Sequence, residues 1–136
     1  MRFPTLDEII ACNEAVREPD EASPSADDDD LDRFARALER AAIENGPIEA
    51  AAGLAFQITY AQGFYEGNKR TAALIARWFI AVNTAFDPDT LIPPDDHELG
   101  DLLIAAARGE QTYDAIRTLL QRRATTCVRS QAAVVR

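Results

Sequence analysis

Histidine is nearly absent from this chain: His97 is the only one, and the two cysteines, Cys12 and Cys127, stand near opposite ends. Neither cysteine has the paired spacing of a zinc ligand set, and a single histidine does not complete one. Both read as reduced structural thiols. Long apolar runs are missing too. The one stretch of note, Ala72 to Val82, carries Arg77 and falls short of the roughly 20 residues that cross a bilayer. The opening Met1-Arg2-Phe3-Pro4-Thr5 lacks the apolar core of a signal peptide, so the expected location is the cytoplasm.

Positive charge is also in deficit. Asp and Glu number 23 against 14 Lys and Arg, a formal net charge of −9. A surface of that sign repels nucleic acid and anionic membranes, and neither is an expected partner. Any anionic ligand must then be held by a local cluster of donors.

What is present suits one ordinary domain. The length is 136 residues and 47% of them are hydrophobic, enough for a single core without staples. No internal repeat or second domain is visible. Thr5-Leu6-Asp7-Glu8 has capping-box spacing, and Leu6, Ile9, Ile10 and Val16 follow at helical period. This first helix should end near Arg17 or Glu18, because Pro19 disfavours helix before it. Glu18 to Asp30 reads as a loop with an acidic run, Asp27-Asp28-Asp29-Asp30. That run suits a partner- or metal-binding loop, or, more simply, a solvated loop whose last aspartates complement the next helix.

A second helix is expected through Leu31, Phe34, Ala35, Leu38, Ala42 and Ile43, closed by Gly46 as a C-terminal cap. Pro47 suits the first position of a third helix, rich in small residues and running to Tyr60 or Ala61. From Asn68 a fourth helix should present Leu74, Ile75, Trp78, Phe79 and Val82 as its apolar face. Thr84 to Pro94 reads as a turn-rich connection. A fifth helix, with Leu99, Leu102 and Leu103, stops at Gly109, and Thr112 is placed to cap a sixth carrying Ile116, Leu119 and Leu120. The expected fold is all-α, a compact single-domain bundle of about six helices over residues 1–123. Residues 124–136, which lack period, read as a frayed tail.

The informative run lies between the third and fourth helices: Gln62-Gly63-Phe64-Tyr65-Glu66-Gly67-Asn68-Lys69-Arg70-Thr71. A glycine-containing break that opens a helix offers backbone N–H groups and the positive end of the dipole, which suits an anion. Lys69 and Arg70 add full charges, and arginine grips phosphate oxygens with two donors. Asn68 supplies neutral donors. Glu66 is odd beside a bare anion, but magnesium takes one or two carboxylates together with phosphate oxygens. The run therefore reads as a nucleotide-phosphate and magnesium site. The plainer alternative is a capped helix start with Glu66 paired to Lys69 or Arg70 on the surface. The spacing is not that of a Walker A loop.

This run resembles the motif of the Fic/Doc family, His-x-Phe-x-Asp/Glu-Gly-Asn-Gly/Lys-Arg. Phe64, Glu66, Gly67, Asn68, Lys69 and Arg70 match in register, and the flanking helices are similar over most of the chain. The resemblance implies that Phe64 anchors the loop in the core and Glu66 binds Mg. It implies that Gly67, Asn68, Lys69 and Arg70 cradle the phosphates of ATP or another nucleotide. Family members transfer part of a nucleotide, or a phosphate, onto a protein hydroxyl. Ala73, where many Fic proteins have a second arginine, and Lys69, in place of glycine, lean toward the Doc branch of toxins restrained by a small antitoxin. No Ser/Thr-x-x-x-Glu-Gly/Asn inhibitory motif is present, so restraint would come from a separate chain.

The family's histidine position holds Gln62, and Gly63 stands where proline is common. A glutamine amide does not accept a proton near neutral pH. General base catalysis typically contributes a factor of about 10²–10⁴. Positioning and charge stabilisation outlast its loss, and a glutamine can orient a nucleophile through its carbonyl. His97, among carboxylates at the start of the fifth helix, reads as a surface residue rather than a replacement base, and Tyr65 is not assigned that role either. Two readings follow. One is a Doc-like transferase of toxin-antitoxin type with weakened or altered catalysis, acting on an unidentified protein target. The other is a catalytically inactive module that acts by binding a partner protein.

Overall fold

Thr5 opens the first helix as its spacing predicts. The Glu8 N–H donates to Thr5 Oγ1 at 3.1 Å and the Thr5 N–H to Glu8 Oε1 at 3.0 Å, a reciprocal capping box. The backbone bond from Thr5 is the largest influence holding the Glu8 carboxyl below its usual range. The computed structural model describes residues 1–16, 28–42, 46–62 and 67–135, the side chains at 28–31 and 130–135 excepted. Among these residues lie seven α-helices and no strand: α1 (Leu6–Val16), α2 (Asp28–Ala41), α3 (Pro47–Ala61), α4 (Asn68–Asn83), α5 (Pro88–Leu91), α6 (His97–Ala107) and α7 (Tyr113–Val135). The protein is all-α, with one helix more than the sequence pattern suggests.

Helix α3 is the centre of the molecule. It packs against α2, α4, α6 and α7. Ala50, Ala51, Ala52, Leu54, Ala55 and Ile58 are fully buried. A helix apolar on nearly all sides belongs inside a bundle, and its alanines let neighbouring backbones approach closely. Pro47 occupies its first turn, behind Gly46 in an extended conformation with φ −128° and ψ 160°. Gly46 thus leads into α3 rather than closing α2 as a left-handed cap, which corrects that expectation. Ile43, expected on α2, lies outside the described residues.

The start of α2 also differs from expectation. The backbone is already helical at Asp28, so three of the four aspartates read as loop belong to the helix. Asp27 and the rest of the segment from Arg17 lie outside the described residues. Phe34, Ala37 and Ala41 form the buried face of α2.

Helix α4 begins at Asn68 as expected, but its buried face is turned from the predicted one. Thr71, Ala72, Ile75, Ala76, Phe79 and Ile80 are buried, whereas Leu74 is 42% and Val82 43% exposed. Small side chains at 71, 72 and 76 allow α4 to lie tight against α3, and that closeness decides the rotation. Phe79 stacks at a tilt on Phe3, ring centroids 5.0 Å apart, and Arg2 lies 5.1 Å over the Trp78 ring. Asn83 exchanges two hydrogen bonds with the Arg2 backbone, at 2.6 and 2.9 Å, tying the N-terminal segment down.

The connection after α4 contains the unpredicted helix α5. Asp87 caps it by accepting from the Asp89 N–H at 2.9 Å, and Pro88 sits in its first turn. Leu91 and Ile92 then fall into the core. Gly109, at φ 91°, ends α6 in a Schellman motif: the Glu110 N–H donates to the Ala105 carbonyl and the Gly109 N–H to the Ala106 carbonyl. Thr112 precedes α7, and its hydroxyl donates to the Leu102 carbonyl at 3.1 Å. Helix α7 continues to Val135, and Ala124 is buried in the core. The loss of apolar period after Arg123 therefore does not end the helix.

Candidate functional site

The break between α3 and α4 is framed by two left-handed residues. Gln62, the C-cap of α3, has φ 47° and ψ 47°, a conformation uncommon outside glycine. Gly67, the N-cap of α4, has φ 78°, where the absence of a Cβ matters most. Phe64, Tyr65 and Glu66, with Gly63, lie outside the described residues. The expected core anchor and the expected Mg ligand are therefore known from the sequence alone.

Asn68, Lys69 and Arg70 form the first turn of α4, and the first hydrogen bond of the helix runs from the Thr71 N–H to the Gly67 carbonyl at 2.9 Å. Helix geometry directs the N–H groups of this turn outward along the axis, at the positive end of a long helix. Behind it, the buried Asn13 side chain on α1 donates to Thr71 Oγ1 at 3.3 Å. That bond fixes the first turn from below. Asn13 was not foreseen as a functional residue, since a lone asparagine on an amphipathic helix carries no pattern.

Lys69 and Arg70 line one end of a cleft of about 510 Å³. Ala73, Leu74 and Arg77 continue the α4 wall, and Pro93, Pro94, Leu99, Gly100, Leu103 and Ile104 supply most of the other. Asp95 and Asp96 line it as well, so the cleft pairs the cations of α4 with largely apolar walls that also carry two carboxylates. Nothing stands within 4 Å of where a Gly100 Cβ would lie, so the cleft is open at that position. Leu74 and Ile104, 42% and 40% exposed, face solvent across it. Sequence reasoning found the cationic end and missed the far wall. Its one local signal is a glycine inside a helix, which marks a place where a side chain is unwelcome or unnecessary.

Two arginines hold the walls in place. The Arg77 guanidinium donates to the Ile92 carbonyl and pairs with Asp89, fastening α4 to α5. Arg123, on α7, grips both carboxylate oxygens of Asp96 at 2.6 and 3.0 Å and reaches the Leu91 carbonyl at 2.9 Å. Asp96 is also the N-cap of α6, accepting from the Leu99 N–H at 3.2 Å. Burial pushes its carboxyl up, but the bonds from Arg123 and Leu99 with the nearby positive charge outweigh that, and the net direction is down. The bond to Asp96 raises the Arg123 guanidinium in turn.

Gln62 takes no part in lining the cleft. It is exposed, and its side-chain amide donates to the carbonyl of Ala107, the last residue of α6. His97 stands exposed at the first position of α6, likewise outside the cleft lining. Among the described residues no group of three His, Cys, Asp or Glu side chains is placed to hold a metal ion. Among the described residues, no helix is long and apolar enough to cross a membrane.

The family model described as Fic/DOC family matches residues 9–80, from α1 through the motif run to the buried end of α4. No curated protein matches the chain.

Proposed function

Because this chain belongs to the Fic/DOC family, we propose that it binds the phosphates of a nucleotide such as ATP, with Mg, at the first turn of α4. The observation that carries the reading is the placement of Lys69 and Arg70 at the helix start, opening into a cleft large enough for a nucleobase. Gly67, Asn68, Lys69 and Arg70 cradle the phosphates. The apolar walls beyond them receive the base, as cofactor sites usually combine few polar groups with much apolar surface.

Magnesium would be held by one carboxylate, Glu66, together with the phosphate oxygens, the combination this ion favours. When bound it neutralises phosphate charge and polarises the transferred group. Lys69 and Arg70 add fixed positive charge on the same oxygens, and the outward N–H groups of α4 orient them.

The transfer chemistry is weakened or altered. A Doc-like protein of this kind moves a phosphate or nucleotidyl group to a hydroxyl on a protein target, and a small antitoxin-like partner restrains it. Gln62 supplies no base. The engagement of its amide with Ala107 supports the second reading, a catalytically inactive module that keeps the nucleotide site and acts through a partner protein.

Titration calorimetry with Mg-ATP tests the site. The expected result is saturable heat that Arg70→Ala reduces by about tenfold or more in affinity, the equivalent of one charge-assisted contact. Absence of heat from the unmodified protein would overturn the phosphate cradle. Incubation of the Gln62→His variant with labelled ATP and candidate target lysate separates the two readings, because restored labelling requires an intact target groove.

A further inference from the structure

A second groove, of about 340 Å³, lies between α2 and α3 and is lined by Arg33, Arg36, Arg40, Gln57, Tyr60 and Ala61. Three arginines and no carboxylate line it among the described residues. In a chain of net charge −9, three cationic side chains thus line one groove. We propose that it docks a short acidic segment of a partner protein, through the paired α2 arginines and the Tyr60 wall.

The spacing carries the first part of the argument. Positions 33, 36 and 40 repeat at one-turn intervals and place three cationic groups along roughly 10 Å of one helix face. Asp32 and Glu39 on the same helix are exposed and do not line the groove. Arginine, unlike lysine, meets a carboxylate with two parallel donors and stays charged when partly desolvated. Tyr60, 37% exposed, is held by stacking on Phe56 at 5.1 Å between centroids, so a rigid ring flanks the cations.

Charge complementarity favours an acidic peptide over a nucleic acid. Repulsion from the rest of the surface is screened beyond about 8–10 Å, so a short segment feels chiefly the groove. A nucleic acid extends far past it, and its backbone is usually met by more contacts, on the order of 6–10. The groove is also near the motif. Ala61 lines it and Lys69 lines the cleft described above, and the eight residue steps between them span at most roughly 29 Å. Docking itself does not depend on the nucleotide reading.

Fluorescence anisotropy of the full chain, without nucleotide and at low salt, tests the proposal. The probe is a labelled alanine-based peptide with glutamates at i, i+3 and i+7, compared with its glutamine counterpart and with a hexathymidine oligonucleotide. Saturable binding of the glutamate peptide is expected, about tenfold or more tighter than either comparison and weakened by added salt. Arg36→Gln with Arg40→Gln should reduce it by about tenfold, while helix propensity is preserved because glutamine matches arginine closely. Arg70→Ala should leave it unchanged, and the double variant should still take up Mg-ATP. Equal binding of both peptides, indifference to the double variant, or preference for the oligonucleotide would overturn the proposal. Loss of Mg-ATP heat with peptide binding intact counts against the nucleotide site alone.

Discussion

The side-chain amide of Gln62 donates to the Ala107 carbonyl, so the end of α3 is laced to the end of α6 at the residue that the motif resemblance sets against the family's base. The same residue sits in left-handed backbone, φ 47°. Its identity therefore has two structural consequences of opposite sign, and they can be separated. Gln62→Ala removes the lacing and keeps the backbone strain, and should cost about 1 kcal/mol, one hydrogen bond. Gln62→Gly removes both, and should lie within about 0.5 kcal/mol of the parent because glycine adopts this conformation freely. Urea unfolding midpoints measure both. A glycine variant as unstable as the alanine one would show that the left-handed backbone stores no strain.

Asp96 and Arg123 make stability depend on acid. The folded Asp96 carboxyl lies below its usual value, so the unfolded chain binds a proton more readily. Its contribution is complete above the unfolded value near about 3.9 and fades as pH falls toward the folded one. Asp96→Asn keeps a competent helix cap and removes the charge, which should flatten the acid limb of a melting-temperature profile. Arg123→Ala leaves a carboxylate that is mostly buried without its guanidinium, and should cost about 3 kcal/mol. Arg122→Ala breaks an exposed pair with Glu98 and should cost less than about 0.5 kcal/mol.

Gly100 separates helix stability from ligand fit. With open space where its Cβ would lie, Gly100→Ala should stabilise the protein by about 0.5–1 kcal/mol through helix propensity. Gly100→Phe projects a ring into the cleft. It should leave the melting temperature near that of the alanine variant and sharply weaken Mg-ATP. Unchanged ATP affinity in the phenylalanine variant would place the base elsewhere.

Lys69 is the only lysine in the chain, which makes it addressable. Amine-reactive labelling followed by peptide mass mapping should report two sites, Lys69 and the terminal amine. Saturating Mg-ATP should slow labelling at Lys69 by about tenfold while leaving the terminus unaffected, since the ammonium is then engaged by phosphate. Equal rates with and without nucleotide would remove Lys69 from the cradle.

Much of the frame is legible in local sequence because it is written in short-range chemistry. Thr5 and Glu8 announce their capping box, Pro47 its first turn, and Gly109 its Schellman ending. The readings that fail are those where packing outweighs local pattern. Leu74 and Val82 look like core and face solvent, because Ala72 and Ala76 let α3 approach from the other side. Pro88, inside the stretch read as a turn-rich connection, begins α5, since a proline harms a helix only past its first turn. Past Arg123 the helix goes on although the apolar period does not. At the site, Lys69 and Arg70 are found by motif, whereas Leu99, Leu103 and Ile104 are brought opposite them only by the tertiary fold.

The family match ends at residue 80, yet Arg123, from far beyond it, holds Asp96 and the Leu91 carbonyl and so sets the position of the cleft's distal wall. The residues proposed to hold phosphate and the residues that shape the space beside them thus lie on separate stretches of the chain. If the cleft receives a base as proposed, exchanging α6 and α7 for those of another Fic/DOC protein should change ligand preference while the first turn of α4 is kept.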